Sequence, residues 1–358
     1  MKKIFLYAYD KINLGDDLFI ETIVKRYPTT VFYMISDKTN KTNFRELKNL
    51  HIIDRDCVVF KYLKKIWQGG YSRYESHIKN KCDVLVYIGG SIFIEYPSWP
   101  NIVNWWDYQA TNYQLYIIGA NFGPFQSIEY CTDMKKVFMN LEDICFRDKY
   151  SFQLFQDCSN ARYAPDILFN QKIPKSKKTN TIFFSIINCE YKDEGNNTLS
   201  LYSQDYENTI ISLIQQYVID GYNVTLSSFC KTEGDEEVVN RIAQQCPKNI
   251  KILNYNGKNR KELIYEIGKS CYIVGTRFHA IILGMCANLP VFPIIYSNKT
   301  KNMLEDIGFD GDYVYIKDIT KLSYEFSKQN LDQNYIVDIH KYREKSNDHF
   351  KKLDEVLS

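Results

Sequence analysis

The sequence predicts two doubly wound α/β domains, and three observations carry that expectation. Short apolar runs rich in β-branched and aromatic residues alternate with stretches of helical periodicity through both halves of the chain. A polar, basic stretch, 170–180 (NQKIPKSKKTN, with Pro174), separates the two series and reads as a linker. The chain is also 358 residues long, beyond the about 250–300 residues at which one core stops growing. The expected organisation is an N-terminal Rossmann-like domain over 1–172, a C-terminal one over 180–330 and a C-terminal helix over 335–358, the two domains facing a cleft.

In the first half, KIFLYAY (3–9) reads as a strand, and Leu18, Phe19, Ile23 and Val24 recur at helical spacing between Asp16 and Arg26. VFYMIS (31–36), HIIDRD (51–56), DVLVYIGG (83–90), QLYIIGA (114–120) and DICFRD (143–148) follow as strands, the last leading into a short helix at SFQLFQD. Continuous apolar runs bounded by glycine or polar turns suit parallel strands covered on both faces. The second half repeats the alternation. Strands at 181–187, 223–229, 250–255, 271–277 and 289–296 are separated by helices at 206–221, 236–246, 261–270 and 278–288.

Composition narrows the function classes. With 45 Lys+Arg against 43 Asp+Glu, the formal net charge is +2, which removes the electrostatic footprint of a nucleic-acid binder. No apolar run approaches the about 20 residues that span a bilayer, and Tyr9, Asp10 and Lys11 interrupt the apolar start too early for a secretory signal. The ten cysteines form no CxxC pair, so free thiols in a reducing cytoplasm are expected. Aromatic residues reach 15%, enough both for cores and for rings that stack on sugars.

In doubly wound sheets ligands bind where strand ends lead into helix N-termini, which selects six loops. Asn13-Leu14-Gly15-Asp16-Asp17 offers a turn, a helix cap at Asp16 and a carboxylate able to accept from sugar hydroxyls. Gly89-Gly90-Ser91 lets a ligand approach the backbone, without the spacing of a Walker A or dinucleotide loop. Asn121 stands between glycines in GANFGPF (119–125), and Arg147, Asp148 and Ser151 close the next strand. Gly275-Thr276-Arg277-Phe278-His279-Ala280 places a guanidinium and an imidazole at the N-terminus of an apolar helix. The first suits carboxylate or phosphate and the second proton transfer. Lys299, in YSNKTK, follows the next strand. Taken singly, each loop also has a plain reading as a turn, a cap or a surface charge. Two DxD patterns, 54–56 and 310–312, are short enough to arise by chance, and no metal is assigned.

Together, NLGDD (13–17), YIGGSIF (87–93), GANFGPF (119–125), FRDKYS (146–151), APDILF (164–169), GTRFHA (275–280) and YSNK (296–299) resemble the polysaccharide pyruvyl transferase family. The second loop is shorter in glycine than is usual there, and the third is less polar. The resemblance implies a glycosyltransferase-B-like fold and transfer of pyruvate from phosphoenolpyruvate onto two hydroxyls of one sugar, a hexose such as galactose, in bacterial surface-polysaccharide assembly. It implies no cofactor beyond phosphoenolpyruvate as co-substrate, a polyprenyl-diphosphate-linked acceptor, and a cytoplasmic enzyme at the inner face of the membrane. On this reading His279 is the general acid, with Arg277 and Asp16 also catalytic. The donor meets Arg147, Arg277, Lys299, Gly275 and Thr276, and the acceptor meets Asn13, Asp16, Gly89, Gly90, Ser91 and Asn121. Trp99, Trp105 and Trp106 either stack on sugar or belong to the core. Two other readings stay open: a nucleotide-sugar-dependent glycosyltransferase, and a non-catalytic glycan-binding protein.

Overall fold

A computed structural model of the chain describes residues 1–58, 70–192 and 198–357. They form two compact units. The first comprises 1–10, 16–167 and 345–358, the second 11–15 and 168–344.

The first unit carries a seven-stranded parallel sheet. Its strands are β1 (Lys3–Ala8), β2 (Val31–Ser36), β3 (Leu50–Asp54), β4 (Val84–Ile88), β5 (Leu115–Ala120), β6 (Asp143–Phe146) and β7 (Ala161–Tyr163), in the order β3-β2-β1-β4-β5-β6-β7. Helices α1 (Leu14–Arg26), α2 (Lys38–Asn43), α3 (Gly70–Lys79), α4 (Trp99–Asn112), α5 (Ile128–Met139) and α6 (Lys149–Leu154) connect them. All six residues of β5 are buried, as both-face coverage of a central parallel strand requires. Strand order reverses between β1 and β4, which pair in register as Tyr7↔Tyr87 and Ala8↔Ile88.

The second unit repeats the plan with six parallel strands: β8 (Thr181–Ile186), β9 (Asn223–Ser228), β10 (Lys251–Ile252), β11 (Tyr272–Gly275), β12 (Val291–Ile295) and β13 (Val314–Tyr315), ordered β10-β9-β8-β11-β12-β13. Its helices are α7 (Ser203–Ile219), α8 (Asp235–Gln244), α9 (Arg260–Lys269), α10 (Phe278–Cys286), α11 (Asn298–Asp306) and α12 (Tyr324–Asp332). Here the order reverses between β8 and β11, where Ser185 lies opposite Gly275. Two parallel-sheet α/β domains are therefore present, as the alternation predicts.

The differences lie at the margins. The division falls between Ile167 and Leu168, ahead of the basic stretch 170–180. The 3₁₀ turn Ile167–Asn170 is apolar, and its Leu168 and Phe169 carbonyls accept from the Cys286 thiol. The tail is not one helix. It breaks into α13 (His340–Ser346), a 3₁₀ turn (Asn347–Phe350) and α14 (Lys351–Leu357), and from Lys345 onward it belongs to the first unit. Arg26 Nη2 pairs with Asp354 at 2.6 Å there, and Phe350 and Leu353 are buried. None of the ten cysteines is in a disulfide. Among the described residues no helix is long and apolar enough to cross a membrane.

Candidate active site

The strongest sequence signal, GTRFHA, lies at the strand-order reversal of the second unit. After β11 the chain turns at Thr276 and Arg277 and enters α10 with Phe278 and His279. The turn is fixed from three sides. Ser185 Oγ, at the end of β8, accepts from the amides of Thr276 at 3.1 Å and Arg277 at 3.2 Å. The Thr276 hydroxyl bonds to the buried Tyr206 hydroxyl at 2.9 Å. The Arg277 guanidinium is clamped by carboxylates: Nε donates to Asp235 Oδ2 at 2.7 Å, Nη2 to Asp235 Oδ1, and Nη1 to Glu233 Oε2 at 2.5 Å.

Asp235 is 0% exposed and is the hub of this arrangement. Besides Arg277 it accepts from the amides of Asn188 at 3.1 Å and Cys230 at 3.0 Å, tying the loops after β8 and β9 to the turn after β11. Burial opposes the charge of Arg277, but Asp235 and Glu233 more than restore it and hold its pKa above the ordinary guanidinium value. Three of its five N–H donors are thereby engaged. Asp235, Glu233 and Ser185 were not legible as site residues. Asp235 sits in the acidic run Asp235-Glu236-Glu237 at the start of α8, which as sequence reads as ordinary N-terminal helix charge.

His279 occupies the first turn of α10, half-buried, its ring edge-on to Phe278 at 5.0 Å. The NLGDD loop reaches this histidine. Residues 11–15 group with the second unit, with Asn13 bridging Cys230 and the Leu14 amide donating to the Phe229 carbonyl at 3.0 Å. A Cβ added to Gly15 would run into the His279 imidazole, so the glycine is needed for close approach rather than for an unusual backbone angle. The helix cap differs from expectation. α1 begins at Leu14, so Asn13 takes the cap position and its Oδ1 accepts from the Gly15 amide at 3.1 Å, leaving Asp16 in the first turn. Lys299 lies in the first turn of α11, its Nζ 5.7 Å from the centre of the Tyr296 ring, and Tyr296 also acts electrostatically on Arg277.

In the first unit the structure brings three of the selected loops together with the APDILF stretch. Arg147, at the end of β6, is buried, with Nη1 donating to Asp166 at 3.1 Å and Nη2 to Asn121 Oδ1 at 2.5 Å. The Ser91 hydroxyl donates to the same Asn121 oxygen at 3.2 Å, and the Asn121 amide donates to the Gly90 carbonyl at 2.9 Å. A side chain at Gly90 would collide with the Arg147 guanidinium. Arg147 pairs with Asp166, in APDILF. Asp148 caps α6 by accepting from the Ser151 amide at 2.8 Å. Ser151 Oγ in turn accepts from the Phe122 amide at 2.8 Å.

Of the three tryptophans, Trp106 is core at 3% exposure and Trp99 packs edge-on against Tyr130, whereas Trp105 is 38% exposed. Asp16 acts electrostatically on Tyr87, whose pKa burial, then Asp16 and Asp10, push up to about 12.

The whole fold is shared with sugar-nucleotide enzymes. UDP-GlcNAc 2-epimerase from Neisseria meningitidis, solved with UDP-GlcNAc, matches with a TM-score of 0.62 at 8% identity, all of each chain being covered. HepE (Alr3699) of Anabaena, solved with UDP, matches at 0.59 and 10% identity over 100% of this chain and 99% of its own. These likenesses identify the architecture as the paired Rossmann-like GT-B fold and nothing finer. The model of one family, polysaccharide pyruvyl transferase, matches residues 13–298, from the NLGDD loop through the GTRFHA turn to the start of α11. The chain belongs to the polysaccharide pyruvyl transferase family.

Proposed function

We propose that the protein transfers pyruvate from phosphoenolpyruvate to two hydroxyls of a hexose such as galactose, carried on a lipid-linked precursor of a bacterial surface polysaccharide, forming a cyclic ketal at the cytoplasmic face. Family membership supports the transfer. The observation that carries the mechanism is the mounting of His279: a half-buried imidazole on a helix first turn, on a turn held by Ser185, Tyr206 and the Asp235–Arg277 pair.

The chemistry proceeds without net water. His279 donates a proton to the methylene carbon of the enol, converting it to a methyl group and making C2 electrophilic. A first sugar hydroxyl adds to C2 and surrenders its proton, for which Asp16 is the proposed acceptor. Phosphate leaves with the C2–O bond's electron pair. The second hydroxyl closes the ring, and its proton is carried off by phosphate. In this scheme Arg277, Lys299 and the amides opening α10 face the donor's phosphate and carboxylate, with Gly275 and Thr276 shaping the turn. Arg147 is proposed to add to the donor's cations. Asn13, Gly89, Gly90, Ser91 and Asn121 serve the acceptor side.

Inorganic phosphate release tests the reading. With phosphoenolpyruvate and a panel of hexosides, release must depend on the acceptor and must be lost in His279→Ala. Release from a UDP-sugar panel with none from phosphoenolpyruvate would overturn it in favour of glycosyl transfer.

A further inference from the structure

The first unit holds a cavity that neither the loop motifs nor the proposed chemistry accounts for. It has a volume of about 320 Å³ and is lined by Tyr7 and Asp10 in and after β1, Ile35 of β2, Tyr87 of β4, Arg55 just after β3, Glu75 of α3 and Trp105 of α4. That is the position at which the strand order reverses, where open α/β sheets bind their ligands. The volume lies near the bottom of the about 300–1,000 Å³ range of ligand pockets, a fit for a sugar ring or two rather than an extended chain.

Its wall is aromatic. Tyr7 and Tyr87 stack with centroids 5.4 Å apart and planes 15° from parallel, and Trp105 meets Tyr7 edge-on at 5.6 Å. The polar groups are already neutralised in pairs. Asp10 accepts from Arg55 Nη2 at 2.6 Å, and Glu75 accepts from the Tyr7 hydroxyl and pairs with Lys79 at 2.6 Å. The acids Asp10, Asp37 and Glu75 thus stand against the cations Arg55 and Lys79 with which they pair. Such a balance gives no hold on a multiply charged anion, whereas carboxylates fixed beside an aromatic wall suit an uncharged, hydroxyl-rich ligand whose C–H faces pack on rings and whose hydroxyls donate to acids.

We propose that this cavity is a sugar-binding subsite, in which Trp105 and the tyrosine pair take the apolar face of a pyranose ring while Asp10 and Arg55 bind its hydroxyls. The assignment of that ring as part of the pyruvyl acceptor rests on the function proposed above; the binding of a sugar does not. Asp16, the proposed hydroxyl-proton acceptor, lies on this side of the unit, close enough to perturb Tyr87.

The test is saturation-transfer NMR on the full chain with octyl glycosides of galactose, glucose, N-acetylglucosamine and N-acetylmannosamine, irradiating the protein's aromatic protons. At least one glycoside is expected to bind through its ring C–H protons, with its Kd raised at least tenfold in Trp105→Ala and in Asp10→Asn. Trp105 is 38% exposed, so its truncation spares the core. Asp10→Asn removes charge without volume, and thermal melts verify both folds. Binding of no glycoside, or binding that both variants leave unchanged, overturns the subsite. Phosphoenolpyruvate protection of the wild type against thermal unfolding is read on the same sample. Protection without glycoside binding sinks the subsite alone, whereas glycoside binding without protection counts against pyruvyl transfer alone.

Discussion

At the scale of single residues, the second-unit site is built by one buried ion pair and one close approach. Asp235 is fully buried and pairs with a guanidinium whose own exposure is 6%, so neither charge can survive the loss of the other cheaply. Asp235→Asn is expected to cost about 3–5 kcal/mol, as breaking a buried pair does. Denaturant unfolding checks this, and an unchanged midpoint would contradict the clamp. Gly15→Ala forces a methyl group against His279. Overpacking of this kind costs about 1–3 kcal/mol, and the displaced ring should lower pyruvyl transfer at least tenfold; a fully active, fully stable variant would rule out the contact. GTRFHA was legible because an Arg and a His at a strand-to-helix turn are an unusual pair. The partners Asp235 and Asp166 were not, since a carboxylate's partner depends on which distant loop folds back to it. The same limit hid the cavity: Tyr7 and Tyr87 read as strand residues until register sets them side by side.

At the scale of elements, strands buried on both faces, such as β5 and β8, announce themselves as unbroken apolar runs. The edge strands β7 and β13, of three and two residues, are too short for periodicity to register, whereas β10, two residues long, falls inside the expected strand 250–255. The tail's helical pattern was readable but its docking was not. Within the first unit His349 lies at 0% exposure with Nε2 2.9 Å from the Pro165 carbonyl, next to Asp166, Arg162 and Arg147. Burial lowers its pKa to about 4; Asp166 pulls the other way, and Arg162 and Arg147 add to the lowering. Between that value and the about 6.5 of an exposed histidine, the unfolded chain binds a proton that the folded chain excludes. This contribution, up to about 3 kcal/mol, is complete above pH about 6.5 and is lost as the pH falls toward 4. Urea unfolding at pH 5 and pH 7.5 should show lower stability at pH 5, with the difference reduced in His349→Gln. Equal slopes in both proteins would remove His349 as the cause.

At the scale of the whole molecule, two parallel sheets with matching strand order explain why the selected loops fall at the carboxyl ends of strands, at or beside two strand-order reversals. They also explain why the family's motifs recur at strand ends from residue 13 to 298. The α/β class followed chiefly from alternation, because a parallel sheet imposes it. The unit boundaries did not, because residues 11–15 and 345–358 leave their sequence neighbours to join the other unit. The central claim, pyruvyl transfer with His279 as proton donor, is tested most directly by mass spectrometry of a hexoside acceptor incubated with phosphoenolpyruvate and either wild type or His279→Ala. The account predicts a product heavier than the acceptor by one pyruvic acid less one water with wild type, and none with the variant. An equal yield from His279→Ala would contradict the assigned proton donor, and a product bearing a hexose from added UDP-sugar in place of pyruvate would contradict the reaction itself.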